Sequence, residues 1–486
     1  MNARPRTTPL SAPAFAATAV TLSLAVSVSL AVSSCAVADS VTPVGSVGAQ
    51  ALRADQATPQ VPTPSVRQVV EIPTTALRPT PIRISVEELP LPGATPSAKR
   101  FPQLVAKPTD PRLAVPEGFR VEIFAEGLDR PRTLANAPDG DVLVVLSRAN
   151  QIVRLRDVRR GTSKDAAKVS SSGTRSAVTD DRGAHEQSVY LDASDGLDLP
   201  FGLAFHGDSL FIANTNSVLR YPVDRESGRP TGPPTKIASL PGHGYRQHWT
   251  RNLAVAPDGQ HLFVTVGSES NVNEEPAPRA SVIKMKLDGS ESSVFASGLR
   301  NPIGLDFEPR SGRPFVTVNE RDRLGDDLVP DYFTGLGKGD FFGWPYAYLS
   351  PENLDPRRMR DDGSSEAPEL AERTRTPDVL FQAHSAPIAL AFYRGTKFPE
   401  RYRNGAFVAL RGSWNRSRGT GYKVVFIPFG TDLKPLGHYE GFLTGFLLDP
   451  KGPTTWARPV GLLVRPDGSL LVSDDAAGRI FRIFYD

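Results

Sequence analysis

Residues 458–474 read RPVGLLVRPDGSLLVSD, and the phrase recurs along the chain. It consists of a turn of Arg, Asn, Pro or Gly residues, a short apolar strand, a Pro-Asp-Gly-type turn and a second apolar strand. Earlier copies are RPRTLANAPDGDVLVVL (130–146), LPFGLAFHGDSLFIAN (199–214), TRNLAVAPDGQHLFVTVG (250–267), RNPIGLDFEPRSGRPFVTV (300–318) and APIALAFYRG to NGAFVALRG (386–412). The strands are rich in β-branched and aromatic residues and bounded by Gly, Asp or Pro. Asp-Gly at 139–140, 258–259 and 467–468 suits tight hairpin turns that need positive φ. One such unit cannot bury its faces alone, whereas a ring of them around a channel can. Six copies therefore predict an all-β, six-bladed β-propeller of four-stranded antiparallel blades. GFRVEIFAEG (118–127) is a strand without its own repeat, expected to complete the last blade beside GRIFRIFYD (478–486).

The repeats assign a propeller domain to 111–486 of the 486 residues. Residues 1–35 carry two early arginines and then an apolar Ala/Val/Leu stretch ending at small residues, the layout of an export signal. The only cysteine, Cys35, ends Val32-Ser33-Ser34-Cys35, which resembles a bacterial lipoprotein cleavage box. A lone cysteine makes no internal disulfide, and this one stands where lipidation needs it. Residues 36–110, rich in Pro, Thr, Ser, Ala and Val, read as a disordered tether between lipid anchor and domain. The expected location is the bacterial cell envelope, periplasm or cell surface. Charged, Ser/Gly-rich stretches at 157–187 and 351–378 read as insertions between strands, partly disordered. A net charge of +3, with Arg and Lys spread among Asp and Glu, is too mild to argue for nucleic acid, and none is expected as a partner.

Residues that open the inner strands should face one central funnel. They include Arg130 and Arg132, His248 and Arg251, Arg300 and Asn301, and Arg458; the fifth region adds His384 and Arg411. Any one arginine can pair with a carboxylate of a neighbouring blade, but a ring of them suits an anionic ligand. His248 at the pocket mouth has the chemistry of a general base. The run Asn319-Glu320-Arg321-Asp322-Arg323-Leu324-Gly325-Asp326-Asp327 offers oxygens to a hard cation, or forms a solvated loop paired with its own arginines. Zinc spacing and a Gly-rich phosphate loop are both missing from the sequence.

Over 111–486 the chain resembles the soluble quinoprotein sugar dehydrogenases, most nearly the sorbosone/aldose branch that binds pyrroloquinoline quinone (PQQ). The resemblance rests on H-x-x-R-x-L-x-x-x-P-D-G (248–259), L-R-N-P-x-G-L (299–305), N-E-R-D-x-L-G-D-D (319–327), F-F-G-W-P-Y (341–346) and G-S-W-N-R (412–416), in that order. It implies a six-bladed propeller that passes a hydride from a sugar, aldehyde or alcohol to PQQ, with an external electron acceptor afterwards. It implies His248 as general base and Arg300 stabilising charge on the quinone. Arg251, Arg300, Asn301, Arg411 (or Arg416) and Arg458 would hold the cofactor, and Glu320, Asp326 and Asp327 a calcium ion.

The pattern departs from the glucose enzymes at Leu197-Asp198-Leu199, Gln247 and Trp456. A non-enzymatic lipoprotein propeller binding carbohydrate or protein is the alternative. A metal-dependent lactonase-type hydrolase is a third reading, and it needs Glu, Asn and Asp converging on the channel. The anchor has its own test: Cys35→Ser should release the protein from the membrane fraction, and unchanged fractionation would remove it.

Overall fold

The computed structural model describes residues 70–157 and 185–486. The leader with Cys35, residues 36–69 of the expected tether and 158–184 of the first insertion lie outside the described residues. The chain is all-β: five sheets of four strands and one of five, each antiparallel, follow one another in sequence order. The first runs Leu134–Asn136, Val142–Leu146, Gln151–Asp157 and His185–Leu191, and the sixth begins Pro459–Val464, Leu470–Asp474, Arg479–Tyr485. The inner strand of each sheet lies against that of the next, and the sixth returns to the first. This is the arrangement of a β-propeller.

The ring closes as the unpaired strand suggested. Phe119–Ala125 lies antiparallel to Arg479–Tyr485, with Val121 opposite Ile483, so the two ends of the domain share one sheet. Among the described residues helix is confined to Pro368–Glu372 and short 3-10 turns. The stretch 351–378 is ordered, carrying Ser350–Leu354 and that helix around the buried Asp355.

The repeated Pro-x-Gly-Leu phrase has a physical cause. Inner strands meet backbone to backbone, and there is no room for a side chain at the crossing. A Cβ on Gly461 would sit 2.1 Å from the Arg132 carbonyl, one on Gly202 2.5 Å from the Leu253 nitrogen, and one on Gly304 3.0 Å from the Leu390 nitrogen. The inner strands bulge at this point in the fourth and sixth sheets. The freed N–H is taken by a hydroxyl on the second strand: Gly304 N–H donates to Thr317 Oγ1 at 3.0 Å and Gly461 N–H to Ser473 Oγ at 2.8 Å. Each hydroxyl then donates onward to the next sheet, Thr317 to the Pro387 carbonyl at 3.3 Å and Ser473 to the Arg132 carbonyl at 2.6 Å. One side chain thus satisfies two sheets, and the Ser473 instance fastens the last sheet to the first.

The tether expected over 36–110 is corrected for its second half: residues 70–110 fold against the propeller. Val70–Ile72 adds a fifth strand beside Phe119–Ala125, and Thr74–Ala76 pairs with Leu113–Val115. Ile84, Val86 and Leu89 pack on a core that contains Leu324, Leu328 and Val329. Gln103–Leu104 runs parallel to Thr454–Thr455. Proline and threonine suit this segment because it makes few strand bonds of its own and docks through scattered apolar side chains.

Ser473→Ala removes the acceptor of Gly461 and the donor to Arg132, so it should cost about 1–3 kcal/mol in thermal unfolding. Gly461→Ala should cost more, and Ser293→Ala on an exposed edge nothing. Unchanged melting of the first two variants would contradict the clasp.

Candidate active site

Side chains one position before the strand crossings point into the channel and close it. Phe201, Ile303, Ile388 and Val460 from four sheets meet Trp249 from a fifth in one buried apolar cluster, with Leu199 against it. The first sheet contributes no apolar residue there. It supplies Arg132, whose guanidinium lies 5.4 Å from the Trp249 ring centre. The channel therefore has a dry floor that meets positive charge.

That charge centres on Asp475, just past the last copy of the repeat. Arg132 Nη2 reaches its carboxylate at 2.6 Å and Arg411 Nε at 3.0 Å. Arg458 turns to backbone instead, donating to the carbonyls of Arg411 and Gly412 at 3.1 Å each. Burial opposes the charge on Asp475, but Arg132, Arg411 and Arg458 outweigh it and hold its pKa below the usual carboxylate value. Burial, then the neighbouring Arg411, lowers Arg458 to about 10. Asp474 adds little compensation, because its Oδ1 is spent on the backbone N–H groups of Arg458, Ala476 and Ala477. Two guanidiniums thus bind one carboxylate while a third lies near it without bonding it, and such a cluster is stable when an anion joins it. Tyr245 and Trp249 flank it, 5.3 Å between ring centres, with Arg148 over Tyr245.

His248 stands beside Trp249, half-buried. Its Nδ1 lies 2.9 Å from both the carbonyl and the hydroxyl of Ser268. Ser268 Oγ donates to the Ser270 carbonyl, so both Ser268 oxygens face the ring as acceptors. Nδ1 therefore carries the proton and Nε2 the lone pair, the tautomer of a base. Burial first, and Arg300 second, push the imidazole well below its ordinary pKa. Gly267 lets the neighbours close in, since a Cβ there would lie 2.4 Å from Asn301 Oδ1 and 2.7 Å from His248 Cβ. Asn301 Oδ1 is buried without a hydrogen-bond partner.

The remaining candidates fall elsewhere. Arg251 is 0% exposed and curls under its own loop, donating to the carbonyls of His248, Thr250 and Pro241. Burial lowers it to about 9. These bonds make it shape the loop that carries His248. Arg300 is near His248, but its nitrogens are engaged with Asn271 O and Oδ1, the Asn319 and Glu320 carbonyls and Asp322. With its donors taken by the chain, it bears on His248 through its charge.

The expected calcium ligands do not converge. Glu320 is buried with Oε2 on Arg321 Nε at 2.9 Å. Asp326 accepts from Ser417, and Asp327 pairs with Arg416 at 2.7 Å. The loop docks on residues 416–417 because cations and N–H groups there satisfy its oxygens. Among the described residues no group of three or more His, Cys, Asp or Glu is arranged to hold a metal. His384 belongs to the same framework, with Nε2 2.9 Å from the Gly325 carbonyl. Arg130 is exposed in the turn before Arg132.

A family model described as TrAA12-like matches residues 113–330 and 357–485. The chain belongs to the TrAA12-like family. An uncharacterized protein of Borreliella burgdorferi is 28% identical over 387 residues, 77% of this chain and 91% of that protein. A pyrroloquinoline quinone-dependent pyranose dehydrogenase of Coprinopsis cinerea is 24% identical over 76% of this chain, and the match spans 54% of its own length. The calcium structure of the Trichoderma reesei AA12 enzyme superposes with a TM-score of 0.62 at 19% identity, covering 79% of this chain and 98% of that one. At such identity the structural likeness concerns the fold.

Sequence reasoning missed Asp475, Ser268 and Asn271 in this TrAA12-like chain. Asp475 was findable, because an arginine cluster needs a counter-charge and Asp474-Asp475 ends the last copy. Ser268 and Asn271 sit in a loop with no marked pattern. In the TrAA12-like site His248 should remain neutral and Nδ1-protonated well below pH 6.5 in a long-range 1H–15N titration. Arg300→Gln should raise its pKa by removing the largest of the charges that lower it. Unfolded histidine protonates first, so stability should fall as pH drops through that range. Titration at or above 6.5 contradicts the assignment.

Proposed function

We propose that the chain is a six-bladed quinoprotein oxidoreductase that oxidises a sugar, or a related aldehyde or alcohol, with PQQ as cofactor. The observation that carries it is the cluster of Arg132, Arg411 and Arg458 around the single carboxylate of Asp475, beside a histidine whose basic nitrogen is open. The curated pyranose dehydrogenase named above supports the reading, as does the family membership.

The residues fit the group. PQQ is a flat tricarboxylate, and the cluster offers three guanidiniums for one internal carboxylate. Arg411 donates to Asp475 only through Nε, which leaves its terminal nitrogens for a ligand. Tyr245 and Trp249 provide flat apolar surface, and Asn301 Oδ1 is an unmet polar atom. For calcium, Glu320 Oε1, Asn319 Oδ1 and the Tyr332 hydroxyl are buried without hydrogen-bond partners, the oxygen type a hard cation takes. Asp326 and Asp327 are already satisfied by the chain.

When bound, PQQ supplies the hydride acceptor, and an external acceptor takes the electrons onward. The chain's own residues do the rest. His248 Nε2 takes the substrate hydroxyl proton, and Ser268 holds the imidazole in the tautomer that can accept it. Arg300 keeps His248 neutral and presents positive charge toward the reacting groups without moving, since its loop partners fix it. The apolar floor excludes water from below. Lipidation of Cys35 and residence in the cell envelope belong to the same proposal and rest on the leader sequence.

The purified full chain with PQQ and calcium should reduce an artificial dye with some member of a panel of aldoses, aldehydes and alcohols. His248→Ala should lower kcat by about 100-fold or more with folding intact by circular dichroism. No PQQ binding together with no turnover overturns the proposal, and an active His248→Ala enzyme overturns the base.

A further inference from the structure

The folded 70–110 segment does more than brace the propeller: it leaves apolar side chains in solvent. Phe101 is 67% exposed although one ring face stacks on Trp414, with centres 5.6 Å apart. Leu104 is 49% exposed, in the strand Gln103–Leu104 that pairs with Thr454–Thr455. The third strand of that small sheet, Leu447–Asp449, exposes Leu448 at 50%. Val105 is exposed beside them and is tied by its N–H to the Thr455 carbonyl at 2.9 Å. Four large apolar residues in one small sheet and the turn before it make a patch of a kind that soluble surfaces rarely leave idle.

The charges in and next to these segments are mostly basic, with Asp326 and Asp327 docked nearby on residues 416–417. Lys99 and Arg100 precede Phe101, and Lys107 follows Val105. Lys451 follows the Leu447–Asp449 strand, and Arg418 is next to Gly419, whose N–H bonds to the Pro450 carbonyl at 2.7 Å. Asp449 is the one acidic residue in these segments, and its Oδ1 accepts from the Lys451 N–H. Apolar side chains ringed by Lys and Arg match an anionic lipid surface, where acyl chains take the former and headgroups the latter. A protein partner fits less well, because the apolar residues are spread over separate strands and line no groove.

The patch also has a definite place relative to the site. The Arg100 N–H donates to the Trp414 carbonyl at 2.7 Å, and Trp414 follows Gly412, whose carbonyl receives Arg458. Backbone therefore links the patch to the rim that carries the arginine cluster.

We infer that the sheet formed by Gln103–Leu104, Thr454–Thr455 and Leu447–Asp449, with Phe101, docks on an anionic lipid surface and holds the funnel rim beside it. This contact is separate from any lipid on Cys35 and does not depend on the redox reading. The test uses the full chain with Cys35→Ser, so that no acyl chain is present, and Gln103→Cys labelled with an environment-sensitive dye. The dye should shift to the blue on phosphatidylglycerol vesicles and stay unchanged on phosphatidylcholine vesicles. The same dye at Ser293→Cys, on a distant exposed edge, should not respond. Replacing Lys99, Arg100 and Lys451 together by Glu should weaken the response about tenfold or more. Phe101→Ser with Leu448→Ser should also weaken it. No shift at residue 103, an equal shift on neutral vesicles, or an equal shift at residue 293 overturns the inference; the last outcome assigns binding to the apolar leader. Capture of a protein by the patch without any vesicle response overturns it as well.

Discussion

Ser473 Oγ accepts from Gly461 N–H and donates to the Arg132 carbonyl, and much of the structure depends on that one hydroxyl. It joins the last sheet to the first at the point where the ring closes. It also fixes the backbone of Arg132, whose guanidinium leaves the opposite end of the residue for Asp475. The side chain that closes the fold thus sets one wall of the candidate site. Thr317 repeats the arrangement between the fourth and fifth sheets, which places Ile303 and Ile388 side by side in the channel floor. Architecture and site geometry come from the same contacts.

Charge in the channel is distributed unevenly, and the unevenness has consequences. On one side Arg132 and Arg411 bind Asp475 with Arg458 nearby, and positive potential is left over. On the other side Arg300 is saturated by its loop and serves as a fixed charge that keeps His248 neutral. Burial alone would lower the histidine; the arginine adds to it without costing a hydrogen bond to the substrate. Under the proposed function the two sides take different tasks, holding an anion and accepting a proton, and Trp249 lies against both Arg132 and the neighbouring His248.

Much of the fold was legible because the repeat is written in backbone terms. Asp-Gly turns, Pro-x-Gly-Leu crossings and alternating apolar strands are local signals, and even the pairing of 118–127 with the C-terminus followed from an unpaired strand. The segment 70–110 was misread because its docking relies on isolated residues such as Ile84, Leu89 and Phe101, which leave no period in the sequence. Within the site, His248 and Arg458 were legible from their place before inner strands. Arg251 was not, because three residues from His248 on a tight loop a side chain can turn inward under its own backbone. In the acidic run at 319–327 the oxygens of Asp326 and Asp327 are taken by Ser417 and Arg416 from a distant part of the chain, whereas Glu320 Oε1 and Asn319 Oδ1 keep no partner, a division that the sequence does not display.

The central claim is that the arginine cluster is the seat of an anionic quinone. Calorimetric titration of PQQ into the full chain, alongside a variant carrying both Arg411→Gln and Arg458→Gln, tests it most directly. The account predicts saturable binding near one equivalent to the native chain and loss of binding in the folded variant. Equal affinity in both, or no binding to the native chain, would contradict it.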